Sequence, residues 1–107
     1  MPLPADDDFA TLFEFLPIGA YRSSPGGRQV RANPALVALN GYHNEEEQLA
    51  NVGDIASEWY VDPQRRALFM QLLERDGSVK SFVSEVFRHR TRERIWVREN
   101  AHVVRGA

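Results

Sequence analysis

Arg31-Ala32-Asn33-Pro34-Ala35-Leu36-Val37-Ala38-Leu39-Asn40-Gly41-Tyr42 holds the end of a strand, the start of a helix and that helix's stop signal in one run. Asn33 is the natural N-cap: its side-chain oxygen can accept one of the free N–H groups of the first turn, and Pro34 suits the first helical position, where no N–H is needed. Gly41 can take the left-handed conformation that closes the helix and sends Tyr42 in a new direction. Between them Leu36, Val37 and Leu39 form an apolar edge.

Upstream, Ile18 to Ser23 reads as a strand. Ser24-Pro25-Gly26-Gly27 supplies the turn chemistry that reverses it into a second strand, Arg28 to Ala32. Earlier still, the Pro-rich, acidic residues 1 to 8 read as a linker. Asp6-Asp7-Asp8 then sits where a helix N-terminus favours negative charge, Phe9, Leu12, Phe13 and Leu16 recur at helical spacing, and Pro17 ends that helix.

Downstream, Asn44 caps a short helix with Glu47 in the capping-box position. Asn51-Val52-Gly53-Asp54-Ile55 breaks it, and a further single turn leads to Trp59. Asp62-Pro63 repeats the cap-then-proline device and begins the longest helix, residues 63 to 75, which Gly77 stops. Leu68, Phe69, Leu72 and Leu73 are its expected buried stripe. Val79 to His89 and Arg94 to Val104 change to alternating β-branched and aromatic residues, which predicts two long strands. Arg90-Thr91-Arg92-Glu93 joins them, and the lack of glycine there predicts a longer or bulged loop. No internal repeat or low-complexity segment occurs.

With 107 residues the chain has room for one core. Its apolar content of 43% and charged content of 26% are those of a globular protein. A net charge of -2 with both signs interspersed provides no overall basic footprint for nucleic acid and no polybasic membrane patch. The absence of cysteine excludes disulfides, thiolate nucleophiles, Cys-based metal sites and thioether-linked chromophores. No apolar run approaches the ~20 residues of a membrane-spanning helix, and the N-terminus lacks a signal peptide's pattern. A cytoplasmic location is the expectation.

A strand ending in Ala32-Asn33, then a small helix opened by Pro34-Ala35 and closed by Asn40-Gly41-Tyr42, resembles the centre of a PAS domain. Glu58-Trp59-Tyr60-Val61-Asp62-Pro63, Phe82-Val83-Ser84-Glu85-Val86-Phe87-Arg88 and Arg94-Ile95-Trp96-Val97 also resemble PAS modules of bacterial sensory proteins, in the same order. The resemblance covers about residues 9 to 105 and implies an α+β class: an antiparallel sheet with short helices on one face and an N-terminal cap helix, as one sensor domain over residues 9 to 107. The Arg90–Glu93 turn departs from the family, whose hairpins often carry Asp-Gly. The family's fifth strand has no counterpart before Ala107, which implies either a fragment of a longer protein, the favoured expectation since Gly106 can begin the absent turn, or a sheet completed by another segment.

The resemblance further implies a ligand cavity between the inner sheet face and the helices, lined by Ile18, Leu36, Leu39, Trp59, Leu68, Leu72, Phe82, Ser84, Val86, Val97 and Glu99. Asn33, Pro34, Gly41 and Asp62 are expected to be structural. Alternation puts Phe82, Ser84 and Val86 on one face and Val83, Glu85 and Phe87 on the other; Val97, Glu99 and Ala101 likewise oppose Arg98, Asn100 and His102. A Glu99 turned inward needs a ligand, a backbone N–H or an arginine to satisfy it. Trp59, at the cavity mouth, can direct its indole N–H to a ligand or to a backbone carbonyl. Trp96 and Phe87 are expected to cover a sheet face against Phe9, Leu12, Phe13 and Leu16.

His43, His89 and His102 show no ligand spacing, so the sequence argues against a metal or haem, and it lacks the cysteine of flavin-binding relatives. Neither a phosphate-binding loop nor a nucleophile elbow is present. The expected function is a sensory module that binds a small organic molecule or relays a partner's state to an output domain of the same polypeptide, a histidine kinase or diguanylate cyclase. It would form a homodimer through Phe9, Leu12, Phe13 and Leu16. The alternatives are a ligand-free dimerisation adaptor and, more remotely, a small enzyme.

Overall fold

Asn33 is fully buried, and its side-chain amide makes three bonds. Its Oδ1 accepts from the Leu36 N–H at 3.0 Å, which is the predicted helix cap, and from the Ala20 N–H at 2.8 Å; its Nδ2 donates to the Ile18 carbonyl at 2.9 Å. One side chain thus joins the entering chain to the first turn of a helix. These bonds belong to a computed structural model that describes residues 11–103. The chain divides into two compact units, one ending at Gly53 and one beginning at Asp54.

In the first unit, residues 11–15 are helical (α1). Strands β1, Tyr21–Ser23, and β2, Gln29–Ala32, pair antiparallel with Tyr21 opposite Ala32 and an irregularity between Arg22 and Ser23. The first strand is therefore shorter than the predicted Ile18 to Ser23. The reason is Asn33, which occupies backbone groups of residues 18 and 20 that would otherwise look for a ladder partner. Helix α2, Pro34–Leu39, ends as predicted: Gly41 has φ 86°, its N–H donates to Ala38, and the Tyr42 N–H reaches back to Val37 at 3.0 Å. Ala32, Leu36 and Val37 form the core here, with Tyr21, Leu39 and Tyr42 against them.

Helix α3, Glu45–Asn51, is capped by Asn44, whose side chain accepts from the Glu47 N–H at 2.8 Å. Glu47 turns back to the His43 N–H at 3.2 Å, one residue earlier than a standard capping box. Three further hydrogen bonds tie α3 to β2. Glu45 Oε2 accepts from the Ala32 N–H at 2.8 Å and from Arg31 Nε at 2.9 Å, and Gln48 Nε2 donates to Gln29 Oε1 at 2.8 Å in the buried interior.

The second unit begins with α4, Ile55–Glu58, capped by the Asp54 side chain on the Ser57 N–H. Helix α5 spans Gln64–Asp76, one residue later than predicted, with Asp62 Oδ1 accepting from the Gln64 N–H at 3.0 Å and Gly77 left-handed at φ 75°. Its buried residues are Arg66 and Phe69, with Met70, Leu72 and Leu73 partly covered. Leu68, expected in the buried stripe, is exposed. The helix presents the side 66, 69, 70 and 73 inward, spaced i, i+3, i+4, i+7, and an arginine takes one of those places.

Strands β3, Ser78–Phe87, and β4, Arg94–His102, pair antiparallel, with Phe82 opposite Glu99, Ser84 opposite Val97 and Val86 opposite Ile95. The predicted alternation holds, since Phe82, Ser84, Val86 and Glu99 are all buried. A bulge between Val79 and Phe82 places Ser81 at φ 53°, where its N–H donates to the Asn100 side chain at 3.0 Å. The connection over residues 88–93 is the longer loop that the absence of glycine predicts, and Arg92 itself takes the left-handed conformation at φ 63°. The four strands form two separate two-stranded sheets where the sequence predicts one, so the class is α+β with two antiparallel pairs.

Candidate functional site

Residues 59–61 run beside β3. The Phe87 N–H donates to the Trp59 carbonyl at 2.8 Å, the Val61 N–H donates to the Glu85 carbonyl at 3.1 Å, and Tyr60 bridges Val86. This short pairing sets the Tyr60 ring under the hairpin, edge-on to Trp59 with centroids 5.2 Å apart. The Tyr60 hydroxyl donates to Glu99 Oε1, and Arg66 Nη1 reaches the same hydroxyl at 3.4 Å. Glu99, 8% exposed, is thereby answered by a tyrosine with an arginine behind it. From sequence alone the partners expected for Glu99 are an arginine, a backbone N–H or a ligand; the donor is instead Tyr60, within the stretch 58–63.

The neighbouring arginine of α5, Arg65, works at the margin of the sheet. Arg65 Nε donates to Ser84 Oγ at 3.1 Å and its Nη2 to the Val83 carbonyl at 2.7 Å, while its guanidinium lies 4.0 Å from the centroid of the Phe82 ring. Arg66 lies likewise 4.7 Å from the Phe69 ring, which meets Phe82 edge-on at 5.5 Å. Two adjacent arginines thus hold the helix to the hairpin, one from inside and one at its rim. Tyr60, Arg66 and Glu99 are all buried, and the Tyr60 hydroxyl stands between the arginine and the carboxylate.

The expected lining residues fall into two groups. In the first unit Leu36 is buried and Leu39 half-buried in the same apolar cluster, whereas Ile18 is 67% exposed. In the second unit Trp59 is buried, Leu72 packs beside Phe69, and Phe82, Ser84, Val86, Val97 and Glu99 share one face of the hairpin. Trp96 departs from its expected packing role and is 70% exposed, while the Phe87 ring is covered by the Arg92 guanidinium at 4.1 Å. Of the proposed dimer residues, Leu12 is exposed, Phe13 and Leu16 are half-buried, and Phe9 lies outside the described residues. Phe15, next to them, is the most exposed of the large apolar side chains among the described residues.

Two grooves run along the hairpin of the second unit, both reaching Val83 and Trp96. A groove of about 340 Å³ is lined by Val61, Asp62, Arg65, Val83, Ser84, Glu85 and Trp96. A shallower one of about 270 Å³ lies along Val83, Trp96, Val97 and Arg98. Each is open to solvent. His43 and His89 face carboxylates, Glu47 at 3.4 Å and Glu58 at 3.0 Å, and among the described residues no group of three or more His, Asp or Glu side chains is placed to hold a metal ion. None of the described helices is long and apolar enough to cross a membrane.

No family model, no curated protein and no solved structure matches this chain.

Proposed function

We infer that this chain is a cytoplasmic sensory module of the PAS type, regulatory rather than catalytic, which passes a small-molecule or partner signal to an output domain of a histidine kinase or diguanylate cyclase. The observation that carries the reading is the Asn33 joint. A buried amide links the segment before β1 to the first turn of α2, at the centre of the stretch that resembles the family. The element order supports it as well: two short strands, three short helices, one longer helix, then two long strands.

A second reading, the adaptor that works through contacts alone, is favoured by the position of the grooves. Both are open and lie beside an exposed tryptophan. Native mass spectrometry of gently purified protein separates the two. A co-purified small molecule of constant mass supports ligand sensing, and a ligand-free dimer supports the adaptor. A ligand-free monomer with measurable turnover would overturn both.

A further inference from the structure

The outward row of β4 is Arg94, Trp96 and Arg98, alternate residues of one strand and all exposed. An arginine therefore stands on each side of an indole that is 70% exposed. Arg94 and Arg98 have no acidic partner among the described residues; Arg94 only approaches the Phe87 ring, at 5.8 Å. Across the ladder Val83 faces Arg98 and Glu85 faces Trp96, and Trp96 and Val83 line both grooves. Four residues of strand separate the two guanidinium-bearing positions by roughly 13–14 Å.

We propose that this face docks an extended, acidic peptide segment of a partner protein, with two carboxylate side chains four positions apart on Arg94 and Arg98 and an apolar residue midway on Trp96. The spacing selects the extended form. In a helix, residues four apart rise only about 6 Å, too little to reach both arginines, whereas an extended segment keeps the register of β4 itself. The apolar middle residue covers the indole and the Val83 side chain, and the acids meet guanidinium groups whose planar donors suit carboxylates. Glu85 stands opposite Trp96, at the middle of the row, so the face disfavours a partner with negative charge at every position, such as a phosphate backbone, and suits one whose middle residue is apolar. The proposal goes beyond the sensory reading and does not depend on it.

Fluorescence anisotropy on the full chain tests it. The probe is a labelled nine-residue peptide carrying Asp and Glu four positions apart with Leu midway, and the control has the same composition with the two acids adjacent. Saturable binding of the first is expected, at least tenfold weaker for the control, for Trp96→Ala and for Arg98→Glu, and falling with added salt. Arg98→Glu alters an exposed position and keeps the test decisive should Trp96→Ala misfold. The proposal is overturned by binding that ignores the spacing, by absence of binding at millimolar peptide, or by tighter binding of an oligothymidylate. Self-association of the chain that Trp96→Ala abolishes would also overturn it, because a second copy would then be the occupant.

Discussion

The two units are held together by different means. In the first, strands of 3 and 4 residues supply little ladder, and side-chain amides and carboxylates carry the architecture: Asn33 at the joint, Gln29 with Gln48 inside, Asn44 and Glu45 at the start of α3. In the second, strands of 10 and 9 residues form a long ladder broken by one bulge, and one face closes on α5. Short strands leave more of their backbone to be satisfied by side chains, so single polar substitutions are expected to cost more in the first unit than in the second.

Asn33→Ala should break this contrast most strongly. It removes three hydrogen bonds from a fully buried position and leaves the Ala20 and Leu36 N–H groups and the Ile18 carbonyl to find new partners. A loss of ~3 kcal/mol is expected, read from the urea midpoint at unchanged slope. The corresponding change in the second unit, Tyr60→Phe, keeps the ring and removes one hydroxyl from between Glu99 and Arg66. A cost of about 2 kcal/mol is expected there, since the carboxylate stays buried with one donor fewer. A larger loss for Tyr60→Phe than for Asn33→Ala would reverse the comparison.

Gly19→Ala sharpens it on the packing side. A Cβ at Gly19 would stand 3.0 Å from Leu36 Cδ1 and 3.2 Å from its Cβ, against the capped helix itself. Thermal unfolding should show about 1 kcal/mol of destabilisation from the forced shift. Glu45 adds a pH dependence. Burial pushes its carboxyl up, but the Ala32 N–H and the Arg31 guanidinium outweigh this and hold its pKa below the ordinary glutamate range. Its contribution is therefore complete above that range and lost as pH falls through the lowered value. The group is largely solvent-screened, so the effect is small, and Glu45→Gln should remove it from a stability profile taken between pH 5 and 2. Ser81→Gly, at the exposed bulge with φ 53°, is expected to raise stability by ~0.5 kcal/mol, the one substitution of the set that does so.

What the sequence made legible was the chemistry that acts over a few residues. Asn33 and Pro34 before a helix, Gly41 and Gly77 after one, and the alternation of Phe82, Ser84 and Val86 are local signals, and the corresponding elements lie within a residue or two of their expected places. Two of the differences are decided by distant partners. The shortened β1 follows from an amide 13 residues away from Ala20 in the chain. Arg66 enters the buried stripe because Tyr60 and Glu99 are there to receive it, and those two are 39 residues apart. Trp96 reads as a packing residue by type, yet its place on the outward row of β4 leaves it in solvent.

The most direct measurement of the central contrast is amide hydrogen exchange, followed residue by residue by NMR, on the wild-type chain and on Asn33→Ala. The Ala20 and Leu36 amides, which donate to Asn33 Oδ1, should be protected in the wild type and should exchange at least tenfold faster in the variant. Val61 and Phe87, whose N–H groups pair with backbone carbonyls beside β3, should keep their protection. Unprotected Ala20 and Leu36 amides in the wild type, or equal losses at all four positions, would contradict the claim that one buried amide organises the first unit while the backbone ladder organises the second.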